Sequence, residues 1–386
     1  MIVEPKVKGF ICTTAHKTGC FESVKRQIAY VKDKEKILGA KRVLILGAST
    51  GYGLASRICA AFQCGAATLG VMFEKEASTK RTATAGWYNT KAFEQEAKKE
   101  GLYAKTLNGD AFSKEMKQQV IETIRTDLKN VDLIIYSLAA PKRTDKDGTI
   151  YQSVLKTVGQ TYTNKTLDLR RNEVTTVTIE PASLQEEEAT VKVMGGEDWK
   201  DWIDSLANAG VLADSCITVA YSYLGPELTY PIYKDGTIGK AKENLYQTSL
   251  NLNQIYEKQG LKAYISVNKA LVTQASSAIP VVPLYLSILY RIMKEMGLHE
   301  GCIEQIERLF RTELFTKQPK TDELGRIRMD DWELKKEVQS KVTKNWDLIT
   351  TENLREYADI DGYWEDFYHM FGFRYDTIDY QEDIEV

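Results

Sequence analysis

The 386-residue sequence predicts an α/β protein built on one doubly wound parallel sheet, with an insertion and helical C-terminal additions. Three observations carry that reading. An aliphatic run ends in closely spaced glycines; apolar runs alternate with helices of about 10–16 residues; and the chain is longer than a minimal single-sheet fold requires.

Residues 41–57 open the pattern. Val43-Leu44-Ile45-Leu46 is a strand, Gly47, Gly51 and Gly53 mark a tight turn, and an Ala- and Leu-containing helix runs to about residue 62. Residues 66–73 read as a buried strand ending at Glu74. A helix over 90–101, a strand over 103–107, a helix over 114–129 and a strand over 131–136 continue the alternation. The rhythm breaks over 140–193, where a charged turn and the β-branched run Val174-Thr175-Thr176-Val177-Thr178-Ile179 suggest an inserted hairpin or loop excursion. A helix over 197–209, a strand over 216–221, a long helix over 236–259 and a strand over 263–267 follow. Residues 276–386 are expected to be mainly helical, with Trp199, Trp202 and the aliphatic stripe 284–293 packed in the core.

Composition narrows the function classes. With 51 Lys+Arg against 54 Asp+Glu the net charge is −3, which argues against a nucleic-acid partner. The 21 Tyr and 11 Phe argue against disorder. Met1-Ile2-Val3-Glu4-Pro5-Lys6 lacks the features of a signal peptide, and no apolar run reaches the ~20 residues of a membrane span. A cytoplasmic protein without stable membrane insertion is expected. Six cysteines without a CxxC pair read as buried thiols rather than disulfides, and His16, His299 and His369 are too scattered for a metal site.

The turn Gly47-Ala48-Ser49-Thr50-Gly51-Tyr52-Gly53 is a dinucleotide-binding signal. Glycines allow positive φ and close approach of a pyrophosphate, and the following helix offers free N–H groups. Its GxxxGxG spacing resembles that of short-chain dehydrogenases/reductases. Glu74, 23 positions past Gly51, is placed to bond adenosine ribose hydroxyls and to repel a 2′-phosphate, favouring NADH over NADPH. Asp110-Ala111 suits an adenine contact, and Leu138-Ala139 puts small groups beside the cofactor.

Tyr233 and Lys242 are the catalytic candidates. A phenol titrates near 10 in solution, and a nearby ammonium would bring it toward neutrality. The two lie nine positions apart, too far for easy contact along a continuous helix, so Tyr233 is expected on the loop before it, with Gly236 letting the chain turn in. Tyr223 lies just past a strand's carboxyl end, where substrates bind.

Together these residues resemble the trans-2-enoyl-CoA reductases of the FabV type, over essentially the whole chain. The resemblance rests on Met1-Ile2-Val3, Gly86-Trp87-Tyr88-Asn89, Val193-Met194-Gly195-Gly196-Glu197-Asp198-Trp199, Ala220-Tyr221-Ser222-Tyr223, Gly236-Thr237-Ile238-Gly239 and Ser266-Val267-Asn268-Lys269-Ala270-Leu271-Val272-Thr273. The family pair is Tyr-x8-Lys, as here; similar ketoreductases use Tyr-x3-Lys and shorter enoyl reductases Tyr-x6-Lys.

The resemblance implies an enlarged Rossmann domain over 1–386, whose additions at 140–193 and 276–386 cover the active site. It implies NADH-dependent reduction of the C2=C3 bond of enoyl-CoA, with acyl carrier protein left open as a second carrier, by a monomer. It places NADH at Gly47, Ala48, Ser49, Thr50, Gly51, Tyr52, Phe73, Glu74, Asp110, Ala111, Leu138, Ala139, Lys242, Leu271, Val272 and Thr273. Tyr223 falls at the substrate and Tyr233 at the proton donor. The alternatives are a carbonyl (3-ketoacyl) reductase on the same scaffold and a non-catalytic NADH sensor.

Overall fold

The computed structural model describes residues 1–79 and 81–385. A hairpin of β1 (Val7–Lys8) and β2 (Ile11–Cys12) leads into α1 (Lys17–Lys32), capped where His16 Nδ1 accepts the Gly19 N–H. The alternation then begins with β3 (Arg42–Leu46), α2 (Gly51–Ile58), β4 (Ala67–Met72), α3 (Ala85–Lys99), β5 (Ala104–Asn108), α4 (Lys114–Thr123) and β6 (Val131–Tyr136). Short π turns extend α2 and α4.

The insertion holds two hairpins and a helix. β7 (Lys142–Thr144) pairs with β8 (Ile150–Gln152), and β9 (Tyr162–Asp168) with β10 (Glu173–Ile179). In α5 (Leu184–Met194), Ser183 and Glu186 form a reciprocal cap that fixes the helix start. After α6 (Glu197–Asn208) come β11 (Leu212–Ser222), a 3₁₀ turn at Glu227–Ile232, α7 (Thr237–Ile255) and β12 (Lys262–Val267). The C-terminal part contains α8 (Val282–Glu295), α9 (Cys302–Arg308), β13 (Ile327–Arg328), α10 (Lys336–Leu348), α11 (Leu354–Tyr357) and α12 (Ile360–His369).

Seven strands form one parallel sheet in the order β13-β12-β11-β6-β3-β4-β5. Val43 to Leu46 are fully buried, as expected of a central strand covered on both faces. The strand order reverses between β3 and β6. At such a switch point the loops leave in opposite directions and open a crevice beyond the strands' carboxyl ends. One sheet face packs on α1, α2, α3 and α9, the other on α4, α6 and α7. A third apolar cluster, centred on α8 with α10 and α12, includes Leu271, Val272 and Tyr233 and lies against that crevice.

Three elements depart from the sequence pattern. The helix expected over 90–101 starts at Ala85, because burial of Tyr88 and Asn89 outweighs the weak helix propensity of Gly86 to Asn89. The extension expected to be mainly helical also supplies the seventh strand, β13, which at two residues is too short to show a period. The insertion is larger than a single hairpin. Residues 1–40, for which no element is predicted above, form the first hairpin and α1. Trp199 and Trp202 are both fully buried, and all six cysteines are free thiols. No described helix is long and apolar enough to cross a membrane.

Trp199 shows how the second face is held. Its ring is 0% exposed between α6 and the sheet, and Nε1 donates to Thr218 Oγ1 of β11 at 2.9 Å. Trp199→Ala is predicted to destabilise the protein by about 3–5 kcal/mol in urea unfolding, through a cavity and a lost partner for Thr218. Trp199→Phe should retain most of that stability.

Candidate active site

At the end of β3 the chain turns at Gly47, whose φ is +85°, a conformation a side chain would strain. Six residues on, a Cβ at Gly53 would lie 1.8 Å from the Gly47 carbonyl oxygen, so only glycine lets α2 start this close to the strand. Thr50 makes no side-chain cap, which leaves the first-turn N–H groups of α2 without protein partners. That is the chemistry of a pyrophosphate site.

Glu74 is fixed from two sides. Its Oε1 accepts the Ser49 hydroxyl at 2.6 Å, and its backbone exchanges two hydrogen bonds with the Asn108 side chain, at 2.8 and 2.9 Å. Asn89 Nδ2 in turn holds the Ser49 carbonyl at 3.2 Å. The carboxylate is thereby tied to the glycine turn, as a ribose ligand should be. Asn108 is a support the sequence pattern did not single out, and Asn89, part of a motif in the family resemblance, had no role assigned to it. Phe73 is 78% exposed at this end, whereas Ala111 is buried and Asp110 Oδ1 accepts the Phe112 N–H at 2.9 Å.

Leu138 and Ala139 follow β6, and Leu138 Cδ2 lies 3.2 Å from where a Cβ at Gly47 would be. Leu271 and Val272 are buried beyond β12; the Val272 N–H donates to Tyr290 Oη at 3.0 Å and the Thr273 N–H to Ser276 Oγ at 2.9 Å. Together with Thr50 and Gly51, Leu271 to Thr273 line a cavity of about 410 Å³. Glu74 lines a separate cavity of about 580 Å³, so the turn and the expected cofactor segments are spread along the carboxyl edge of the sheet rather than around one cavity. Tyr52 is the exception in orientation: its hydroxyl is bonded to Lys269 O at 2.8 Å and Gln305 Oε1 at 2.9 Å, leaving only its backbone for a cofactor.

Tyr233 ends the 3₁₀ turn ahead of α7, on the loop where it is expected. Gly236 contributes by compactness rather than by its backbone angle: φ is −89°, and a Cβ there would meet the Ile232 carbonyl oxygen at 2.8 Å. Tyr233 is 9% exposed, and its hydroxyl has no hydrogen-bond partner among the described residues. Its ring meets that of Tyr223 edge-on, with centroids 4.8 Å apart.

The expected electrostatics differ. Burial alone pushes the Tyr233 phenol up, and Lys242 does not bring it toward neutrality. Lys242 Nζ instead donates to the Tyr221 carbonyl at 3.2 Å, and burial lowers the ammonium to about 8. With Ser222, Tyr223 and Leu224 it lines a second cavity of about 630 Å³.

Tyr223 has a partner that the sequence pattern did not predict. Its hydroxyl donates to Glu333 Oε1 at 2.9 Å, beside Tyr285, whose hydroxyl reaches the same oxygen at 2.6 Å. Glu333 sits in Met329-Asp330-Asp331-Trp332-Glu333, where Asp330 and Glu333 are both buried.

Three family models match consecutive parts of the chain: the NAD(P)H binding domain of trans-2-enoyl-CoA reductase over 2–79, the trans-2-enoyl-CoA reductase catalytic region over 81–315, and an enoyl reductase FAD binding domain over 321–384. The chain is 56% identical over 385 residues to an enoyl-[acyl-carrier-protein] reductase [NADH] of Flavobacterium psychrophilum, covering 99% of this chain and 97% of the relative. It is 53% identical over 387 residues to a trans-2-enoyl-CoA reductase [NADH] of Ruminiclostridium cellulolyticum, covering 100% and 98%. The crystal structure of Treponema denticola trans-2-enoyl-CoA reductase in complex with NAD superposes with a TM-score of 0.95 at 49% identity, covering 100% of this chain and 98% of that one.

The flavin in the third description finds no counterpart in the fold of 321–384. That segment is one two-residue strand, three helices and a tail, without the strand, glycine turn and helix that would cradle a dinucleotide. No step is derived through it. The residues at the crevice do fit a nicotinamide dinucleotide, and the chain belongs to the trans-2-enoyl-CoA reductase family.

Proposed function

We propose that this chain reduces the C2=C3 bond of trans-2-enoyl thioesters with NADH. The observation that carries the reading is the Tyr233 hydroxyl, nearly buried at the carboxyl edge of the sheet and unpartnered among the described residues. A hydroxyl with no protein partner is free to donate, and a substrate oxygen would take the place of water there. When bound, NADH supplies the hydride that adds at C3.

Charge then develops on the thioester oxygen. Tyr233 donates its hydrogen bond there, more strongly as the charge grows, so it favours the transition state over the ground state. Burial suits this role, because a phenol with a raised pKa remains protonated and able to donate. Lys242 holds the cofactor ribose and backs the end of β11 through Tyr221. Tyr223 walls the substrate site, its own proton being committed to Glu333. Glu74 selects NADH over NADPH by repelling a 2′-phosphate. Protonation at C2 completes the reduction.

Residues 1–386 act as one enlarged Rossmann unit working as a monomer, with 140–193 and 276–386 covering the site. The cluster that unites Tyr233, Leu271 and α8 supports this arrangement. Enoyl-CoA is the substrate, and an acyl-carrier-protein thioester presents the same reacting group. Neither a carbonyl reductase nor an NADH sensor gains support from the geometry.

Tyr233→Phe is predicted to lower kcat for crotonyl-CoA by about 10²–10³-fold, as loss of one oxyanion donor does, with NADH affinity unchanged by fluorescence titration. A variant with parent turnover would overturn the assignment. Because Lys242 loses its proton as pH rises through about 8, NADH affinity should be full below that pH and decline above it. Lys242→Met should bind NADH weakly at every pH and lack that decline.

A further inference from the structure

Glu333 is 0% exposed, and no carboxylate takes that position by default, since desolvating a charge is expensive. Its surroundings are built to receive it. Tyr285 and Tyr223 converge on Oε1 at 2.6 and 2.9 Å, and the Ala270 N–H donates to Oε2 at 2.7 Å. Gln339 Nε2 donates to Tyr285 Oη at 3.2 Å and to the Glu333 carbonyl at 2.7 Å, so the Tyr285 proton is directed at the carboxylate. Lys269, itself 2% exposed, supplies positive charge nearby while its Nζ donates to Ala270 O at 2.9 Å.

This network draws on five separate parts of the chain: the end of β11, the segment after β12, α8, the segment between β13 and α10, and α10 itself. For stability alone, an apolar cluster of similar volume would serve as well or better. Its one outlet toward the reacting centre is Tyr223, whose ring packs against Tyr233.

We propose that Glu333 is a positioning residue for enoyl reduction: by accepting the Tyr223 hydroxyl hydrogen bond it keeps that proton from the substrate and locks the ring against Tyr233. Tyr223 is then a wall, and Tyr233 is the single phenolic donor to the thioester oxygen. The inference rests on the function proposed above, and it gives the C-terminal segment a part in the site without a flavin.

The test is a double-mutant cycle. Glu333→Gln keeps the shape but replaces one oxygen by an NH2 group, so either the two phenols or the Ala270 N–H then face a donor. In the parent background it should lower kcat for crotonyl-CoA by about tenfold, with KM and NADH affinity within about twofold. In a Tyr223→Phe background the same change should alter kcat by less than about twofold, since the residue it acts through is already disabled. An equal factor in both backgrounds, or parent kcat for Glu333→Gln, overturns the proposal. If Tyr223→Phe alone matches the parent, the placement of Tyr223 fails and the inference with it, whereas failure of the reductase reading would appear separately in Tyr233→Phe. Should Glu333→Gln not fold, Tyr285→Phe disturbs the same carboxylate. Its effect on kcat should likewise vanish in the Tyr223→Phe background, and an equal effect in both overturns the proposal.

Discussion

Between β3 and α2 the backbone turns back so closely that a methyl group at residue 53 would lie 1.8 Å from the Gly47 carbonyl oxygen. That contact sets where α2 begins, and therefore where its unpaired N–H groups point. Because the turn falls at the switch between β3 and β6, those groups face the crevice rather than the sheet. Glu74 is then registered to the same turn through Ser49, while Leu138 and Leu271 to Thr273 close in from the neighbouring strand ends. A side chain at either glycine would displace the element on which all the others are aligned.

The chemistry on this scaffold depends on burial more than on charge pairing. Tyr233 and Lys242 are pushed in opposite directions by desolvation, and both toward their neutral forms. A neutral phenol is the useful species, since it can donate a hydrogen bond to an oxygen that is gaining charge. Glu333, placed beyond Tyr223, is wrapped by donors and faced by a buried lysine. That carboxyl lies behind Tyr223 and away from solvent, a setting in which a single hydrogen bond counts for more than it would in water.

Much of the frame was legible in the sequence because it obeys local rules. The aliphatic run of β3, the three glycines and the alternating apolar runs each carry their own signal, and Tyr233 was placed on a loop by helix rise alone. What escaped depended on distant partners. Glu333 lies in an acidic stretch whose burial is decided by Tyr223, Tyr285 and Lys269, from 48 to 110 positions away. β13 is a strand only because β12 offers it an edge. The chemistry of a phenol and an ammonium suggests that Lys242 pairs with Tyr233, whereas its bond to the Tyr221 carbonyl follows from the path of β11, which no spacing encodes. Local pattern located the residues, and tertiary context assigned their hydrogen bonds.

The central claim is that the Tyr233 hydroxyl is left free for the thioester oxygen. A crystal structure with NAD⁺ and a saturated acyl-CoA product tests it directly. The account predicts Tyr233 Oη at about 2.5–3.0 Å from the thioester oxygen, with Tyr223 still bonded to Glu333. A thioester oxygen bonded elsewhere, with Tyr233 beyond hydrogen-bond reach, would contradict it.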